Sequence, residues 1–356
     1  MRTSQSGHSN SVLLVTVVIL AGALMLLSGC GPSPDKGTTS QGASGQDNDS
    51  RQITICLIPK KKGLPYFTSC ASGAEAAAKD LGNVKLIYDG PTDGSPEKQA
   101  SMIEQYTLKG VDVIAVSPND PNVVAPALRK AKAKGIKVIS WDADAIADSR
   151  DFFVNQATAE AIAHGMVDTM VKDLGGPEVS AQVAIVTAYL TAANQNVWIE
   201  HMKDHIAQTY PNLSLVAIKP SDEDQKLAFK VTQDLLKAYP DIKGFFGISS
   251  VSFPGAAEAV KQAGKSGQVM VTGLATPNSM KSYVKDGTVK SVILWNTFEL
   301  GYLTVKVGEA LATGKLQAGA SVFDAGKLGE KKVVGENVLL GDILVFTKEN
   351  IDQYDF

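Results

Sequence analysis

The chain lacks any large block of lysine and arginine, and its formal net charge is only −3 over 356 residues. Proteins that bind nucleic acid usually carry basic patches that face the phosphates, so we expect no nucleic-acid partner. A hydrophobic content of 44% with 20% charged residues is ordinary globular composition. At roughly 150 residues per domain, the length allows two domains.

Phosphate-binding and catalytic motifs are missing as well. No G-x-x-x-x-G-K-[ST] segment occurs, and no G-x-G-x-x-G segment follows a β-rich run. The four histidines form no evident nucleophile–base constellation. His201 and His205 have a metal-ligand spacing on a predicted helix, but no third ligand accompanies them. We therefore expect no enzyme activity, no cofactor and no bound metal.

The first 30 residues have the pattern of an export signal. Arg2 supplies a positive start, SVLLVTVVILAGALMLL is an apolar run of about 17 residues, and LSGC ends at Cys30. The LSGC box resembles the bacterial lipoprotein signal, which implies cleavage before Cys30 and a lipid on its sulfur. The alternative is a single transmembrane anchor, because the run is near the lower length limit for spanning a bilayer.

Residues 31–51 are rich in Gly, Ser, Asp and Pro and have almost no apolar side chain, so they indicate a flexible tether. We predict a signal peptide over 1–29, a lipidated Cys30 with its tether over 30–51, and an exported globular part. That part is held at the membrane surface and faces the periplasm or the cell exterior. Cys56 and Cys70 lie inside predicted elements, which favours buried free thiols, with a disulfide as the alternative.

From residue 52 onward, short β-rich runs alternate with amphipathic helical segments. ITICLIP precedes a predicted helix over 67–81, and VAIVTAYL precedes the helical QNVWIEHMKDHIAQTYP. This alternation predicts an α/β fold made of βαβ units with parallel sheets. Nine or ten strands fit two similar halves of about five units each, because a single core rarely grows that large.

The carboxyl ends of parallel strands form the ligand crevice in such folds. Following that rule, the candidate loops are 60–67, 89–93, 117–120, 141–144, 189–196, 248–254, 275–278 and 295–298. These loops contain aromatic, carboxylate, amide and hydroxyl side chains. Aromatic rings cover the apolar face of a sugar, and polar groups bind its hydroxyls, so the composition favours a small polyol between two lobes.

Several stretches, in their order and spacing, carry a resemblance to a known family: IPK then YFTS, YDGPT, SWDAD, VNQATAE, NQNVW, YPDIKG, LATPNSM, YVKDGTVK, LWN and NIDQYDF. The chain resembles the periplasmic sugar-binding proteins of ABC importers over about residues 52–356, closest to the rhamnose-binding and autoinducer-2-binding group. The resemblance implies two Rossmann-like lobes joined by a three-strand hinge. Lobe 1 would be 52–156 plus 291–317, and lobe 2 would be 157–290 plus 318–356. It also implies a monomer that delivers ligand to an ABC permease.

The same resemblance implies the site residues. Autoinducer-2 binders place a Lys after the first strand and an Asp after the fourth, which here are Lys60 and Asp142. Their Asp-Gln pair is replaced by Asn194-Gln195, and their Pro-x-Ala turn by 248–250. Three of the six positions depart, which favours a sugar over autoinducer-2.

Other positions match the family's pattern or lie beside it. Tyr66 and Phe67 match a ring-stacking pair, and the LWN stretch carries an amide where the family has an acid. The predicted ligand-binding residues are Lys60, Tyr66, Phe67, Asp142, Asp144, Asn194, Gln195, Ser249, Ser250, Trp295 and Asn296.

Each of these positions also has a purely structural interpretation. Lys61 and Lys62 are expected to be surface charges. Asn194 would cap a helix, Asp142 would cap a helix or join a hinge salt bridge, and the two serines would cap a turn. The signalling role of a sensor receptor is a functional alternative to import. A glycosidase with Asp142 and Asp144 as its carboxylate pair is disfavoured, because both acids follow one strand.

Overall fold

The β-rich runs of the first half form one parallel sheet. The computed structural model describes residues 51–356, so the predicted signal peptide, Cys30 and the tether up to residue 50 lie outside the described residues. The strands run parallel in the order β2-β1-β3-β4-β5. They are β1 (Ile53–Ile58), β2 (Val84–Tyr88), β3 (Val113–Val116), β4 (Lys137–Trp141) and β5 (Phe152–Asn155). The connecting helices are α1 (Pro65–Leu81), α2 (Pro96–Lys109) and α3 (Pro121–Ala133).

A second parallel sheet follows in the order β7-β6-β8-β9. Its strands are β6 (Ala181–Thr187), β7 (Leu213–Pro220), β8 (Ile242–Gly247) and β9 (Met270–Gly273). The helices of this part are α4 (Ala159–Leu174), α5 (Ala193–Thr209), α6 (Gln225–Ala238), α7 (Ser252–Gln262) and α8 (Pro277–Lys285). We call the parts built around the first and second sheets lobe 1 and lobe 2.

The last 65 or so residues are shared between the two lobes. Their elements are β10 (Val292–Leu294), α9 (Thr297–Ala312), β11 (Val322–Asp324), β12 (Glu330–Val334), β13 (Asn337–Leu339) and β14 (Leu344–Phe346). β10 pairs with β14 and is bridged to the end of β9, whereas α9 packs on β1, β3, β4 and β5. Within residues 51–356 the chain therefore crosses between the lobes three times, after β5, β10 and β13.

The lobe bounds differ from those that the sequence predicts. Residues 318–356 are expected in lobe 2, but β11, β12 and β13 extend the first sheet, where Val338 pairs with Val154. Residues 291–317 are expected in lobe 1, but β10 belongs with lobe 2. These strands are only three to five residues long, so their sequences carry too little pattern to indicate which sheet each one joins. β13 pairs with the otherwise open edge of β5. Just before β13, the carbonyl of Glu336 accepts a hydrogen bond from the N–H of Phe153 in β5 (2.8 Å).

Helix ends follow local sequence rules and so place the strand-end loops. Many helices begin at a side chain that accepts a hydrogen bond from the first turn: Ser95, Asp120, Thr158, Asp224, Thr276 and Asn296. Others end at a left-handed glycine, as α1 does at Gly82. No helix among residues 51–356 is both long enough and apolar enough to cross a membrane.

Helices α1 and α9 pack with their backbones almost in contact. A Cβ added to Gly73 would lie 1.8 Å from the carbonyl oxygen of Phe298, and one on Gly301 would lie 1.8 Å from that of Cys70. Glycine is therefore required at both positions for this close approach. Cys56 and Cys70 are both buried free thiols, as the sequence predicts, and burial raises the pKa of each.

We predict that Gly301→Ala destabilises the protein, because its Cβ meets backbone that cannot move alone. Overpacking of this kind costs about 1–3 kcal/mol of unfolding free energy. Gly308→Ala on the same helix is the control, since its Cβ would meet side-chain carbons and no backbone: those of Ile55, Val113 and Ile139, at 3.2, 3.4 and 3.7 Å. That variant should be neutral or gain up to about 1 kcal/mol from helix propensity. Urea unfolding of both variants measures the difference, and equal stabilities would contradict the packing argument.

Candidate ligand-binding site

A cavity lies between the two lobes, at the carboxyl-terminal ends of their strands. It encloses about 410 Å³ of empty space, counted together with its opening to solvent. The side chains that line it are Lys60, Tyr66, Phe67, Asp142, Asn194, Gln195, Glu223, Ile248, Ser249, Ser250, Leu274, Leu294 and Trp295. Nine of the eleven residues predicted from the sequence are in this set. Their contact with a ligand stays a prediction.

Asp142 is the most constrained residue of the cavity. It follows β4 with a φ of 64°, in the left-handed region that aspartate tolerates better than most residues. Its carboxylate accepts hydrogen bonds from the Tyr66 hydroxyl (2.8 Å) and the Ser117 hydroxyl (2.7 Å). The ammonium of Lys60 lies 3.8 Å away. A buried carboxylate needs such partners, so its orientation is set by residues of the β1–α1 segment and of the loop after β3.

The lysines after β1 reach across the cleft. Lys60 donates to the side-chain oxygen of Asn194 in lobe 2 (3.0 Å). Lys61 donates to the backbone carbonyl of Glu223 (3.3 Å), so the expectation that it is merely a surface charge is wrong. Lys62 does lie at the surface, 3.5 Å from Asp89. The lobes are therefore held in a closed arrangement by polar contacts from the β1–α1 loop.

An aromatic cluster forms one wall of the cavity. Tyr66 and Phe67 occupy the first turn of α1 after Pro65, and their ring centroids are 5.0 Å apart in an edge-to-face arrangement. Trp295 packs edge-on against Tyr66 at 6.0 Å, and its indole N–H donates to the Tyr66 hydroxyl (2.9 Å). Burial, followed by the nearby Asp142 charge, raises the pKa of Tyr66 well above its usual range. Tyr66 therefore stays a hydrogen-bond donor.

Lobe 2 contributes amides and hydroxyls. The helix cap of α5 is Ala192, so Asn194 is not a cap and its side chain is available to Lys60. The side-chain oxygen of Gln195 accepts a hydrogen bond from the backbone N–H of Ala188 (2.9 Å). Its amide nitrogen therefore points away from Ala188. Ser249 accepts a hydrogen bond from the N–H of Ser252, the first residue of α7 (3.1 Å).

Glu223 lines the cavity but is absent from the sequence prediction. It lies in the loop between β7 and α6, where Asp222 and Glu223 both adopt left-handed backbone conformations, with φ of 52° and 49°. Such strain in two consecutive non-glycine residues is typical of functional loops. Ser249 donates to its carboxylate (3.1 Å), and burial raises its pKa. The strand-end rule would have found Glu223 if it had been applied to the loop after β7.

Two predicted residues do not reach this cavity. Asp144 is turned away into a bidentate ion pair with Arg150, at 2.6 and 2.8 Å. Asn296 caps α9 by accepting from the N–H of Glu299 (3.1 Å). In both cases a neighbour in the fold satisfies the polar side chain. Conversely, the apolar residues Ile248, Leu274 and Leu294 line the cavity and were not among the predicted contacts.

The described part of the chain has no group of three or more His, Cys, Asp or Glu placed to hold a metal ion. The spacing of His201 and His205 does not create such a group. Instead His205 lies 2.7 Å from the carboxylate of Asp168 and stacks on His164, with ring centroids 3.9 Å apart. This pair belongs to the packing of α4 on α5.

Known proteins share this architecture. A model of the periplasmic binding protein domain matches residues 55–316. The ribose import binding protein of Salmonella typhimurium is 26% identical over 275 residues, covering 76% of this chain and 89% of that protein.

Solved structures are similar over most of the chain. An ABC transporter solute binding protein from Clostridium phytofermentas with bound L-rhamnose is 30% identical, with a TM-score of 0.79 over 86% of this chain and 98% of that one. LsrB from Clostridium saccharobutylicum in complex with AI-2 is 28% identical, with a TM-score of 0.81 over 85% and 100%. The family match covers well over half of the sequence, and these relatives are transport binding proteins. The chain belongs to the periplasmic binding protein domain family, with its type I fold, and is not an enzyme.

Proposed function

We propose that this protein is the substrate-binding lipoprotein of an ABC importer and that it binds a small sugar between its closing lobes. The observation that carries the proposal is the cavity itself. Its lining combines charged and amide groups with aromatic and aliphatic side chains. A sugar ring presents the same combination of hydroxyl edges and apolar faces.

The lining supports a 6-deoxyhexose such as rhamnose in particular. Asp142 and Glu223 are carboxylate acceptors for sugar hydroxyls, one from each lobe, and Lys60 is a donor between them. Leu274 and Leu294 give the cavity an apolar side suited to a methyl group. The relative with bound L-rhamnose favours the same ligand class.

Autoinducer-2 is the alternative ligand, for uptake or for signalling. The structural neighbour bound to AI-2 supports it. Two substitutions argue against autoinducer-2. Asn194 is an amide where the autoinducer-2 binders have an acid, and Ser250 replaces their alanine. A sensor role would use the same closed form, and measuring uptake of the ligand in a deletion strain separates sensing from import.

Ligand binding would act by shifting an open–closed equilibrium. The contacts of Lys60 with Asn194 and of Lys61 with the Glu223 carbonyl exist only when the lobes are close together. A sugar that touches both lobes adds to these contacts and stabilises the closed form. The closed monomer would then dock to the permease, and a separate subunit would supply the energy.

We predict that Lys60→Ala and Asp142→Asn each weaken sugar binding by about tenfold to a hundredfold, because hydrogen bonds to charged groups contribute roughly 1.5–3 kcal/mol. Lys62→Ala is the matched control, since its partner Asp89 is outside the cavity. A thermal-shift screen of monosaccharides, deoxy sugars and furanones on the whole chain identifies the ligand, and calorimetry measures the affinities. If no compound stabilises the protein, the proposed function is wrong.

The affinity should also depend on pH through Glu223. Burial raises the pKa of its carboxyl in the closed cleft, and we expect that pKa to fall toward its ordinary value when the cleft opens. At pH values above that ordinary pKa, Glu223 therefore takes up a proton when the cleft closes. The affinity for the sugar should then fall as pH rises, by at most about tenfold per pH unit. Glu223→Gln should flatten this dependence in calorimetry between pH 5 and 8. Glu200→Gln, at an exposed position, is the control and should keep the pH dependence of the wild type. If Glu223→Gln shows the same change of affinity with pH as this control, Glu223 is not the titrating group.

We further propose that Cys30 carries a lipid that holds the protein at the membrane surface. The basis is the LSGC box after the apolar run and before the tether. Metabolic labelling of cells with an alkynyl fatty acid should mark the wild-type chain. Cys30→Ser should lose the label and leave the membrane fraction, whereas Cys56→Ser should keep both properties.

A further inference from the structure

A second cavity lies beside the first, at the chain crossing that follows β5. It encloses about 580 Å³, again counted with its opening to solvent. Asp142 and Asn194 line both cavities, so a single layer of side chains separates the two spaces. We call the second cavity the hinge groove, and its walls also include Phe153, Gln156, Ala157, Ala159, Val197 and Trp198.

The hinge groove has the lining of an aromatic-ring site. Phe153 and Trp198 stand on its two sides, one from each lobe, and both are more than nine-tenths buried. Ala157, Ala159 and Ala193 are small, which leaves the space open. Polar residues also line the groove, but most of the surface open to it is apolar, so it suits an apolar ring better than a second sugar. The polar residues are Asp142, Asp144, Asn155, Gln156 and Asn194.

One buried polar atom in the wall has no partner. Gln156 is 2% exposed, and its side-chain oxygen makes no hydrogen bond. Buried acceptors are normally satisfied, and an orphaned acceptor marks a place where a donor is expected. Gln156 belongs to the crossing segment and is among the residues that line the groove. Its oxygen is enclosed by protein atoms, so a donor on an occupant reaches it only when the Gln156 side chain turns toward the groove.

We propose that the hinge groove receives the aglycone of a glycoside whose sugar ring occupies the first cavity. This inference rests on the proposed function and narrows its substrate class to O-glycosides with an apolar, ring-sized aglycone, ideally one bearing a hydroxyl group. Because Asp142 and Asn194 line both cavities, a substituent of the sugar enters the groove when the Asn194 side chain moves aside. Because the groove has walls from both lobes, the aglycone also stabilises the closed form.

Calorimetry on the whole chain in detergent tests the proposal with three probes: the free sugar found by the screen, its methyl glycoside and its phenyl glycoside. The phenyl glycoside should bind about tenfold more tightly than the free sugar, since burying a ring is favourable. Ala159→Trp fills the groove from α4 and should remove this gain without changing free-sugar affinity. Ala161→Trp, at an exposed position on the same helix, is the control and should keep the gain.

A second variant is needed because Ala159→Trp could lose the gain by disturbing the hinge and not by filling the groove. Val197→Trp fills the groove from α5, where the native side chain is 48% exposed and no core contact is lost. If the free sugar binds but the phenyl glycoside binds no better, the inference fails and the proposed function stands. The inference also fails if the gain survives both filling variants. If neither the sugar nor its glycosides bind, the proposed function fails and the inference falls with it.

Discussion

The buried carboxylate of Asp142 is the interaction on which the site depends. A charge at 5% exposure is stable only with close partners, and Asp142 obtains them from Tyr66, Ser117 and Lys60. These three belong to the loops after β1 and β3, so one charge holds together the strand ends of lobe 1. Lys60 then extends the network to Asn194 in lobe 2. The same charge thus couples the arrangement of the binding residues to closure of the cleft.

The two lobes contribute different chemistry to the cavity. Lobe 1 supplies a rigid wall, in which Tyr66 is fixed by hydrogen bonds to Asp142 and Trp295. Lobe 2 supplies Glu223 on a strained loop whose carbonyl is bound by Lys61 only across the closed cleft. In this closed arrangement the backbone of Glu223 is left-handed, and burial raises the pKa of its carboxyl. Selectivity and closure therefore depend on the same few side chains.

Much of the candidate site could be predicted because parallel strands end at one edge of their sheet. This rule predicts that Lys60, Asp142 and Gln195 lie near the same crevice, without any information on the residues around them. It could not tell that Asp144 would pair with Arg150, since that contact depends on the turn after β4. Glu223 was missed because the loop after β7 was not among the candidate loops.

The sequence by itself determined the alternation of strands and helices, the helix caps and the loops from which the site is built. These depend on local periodicity and on side-chain-to-backbone bonds within a few residues. Only the tertiary structure decided that β11–β13 join lobe 1, that Gly73 and Gly301 allow two helices to touch, and that Lys61 bridges the lobes. The physical reason is that open sheet edges, backbone clearance and cross-lobe distances arise from residues far apart in the chain, and no local pattern contains them.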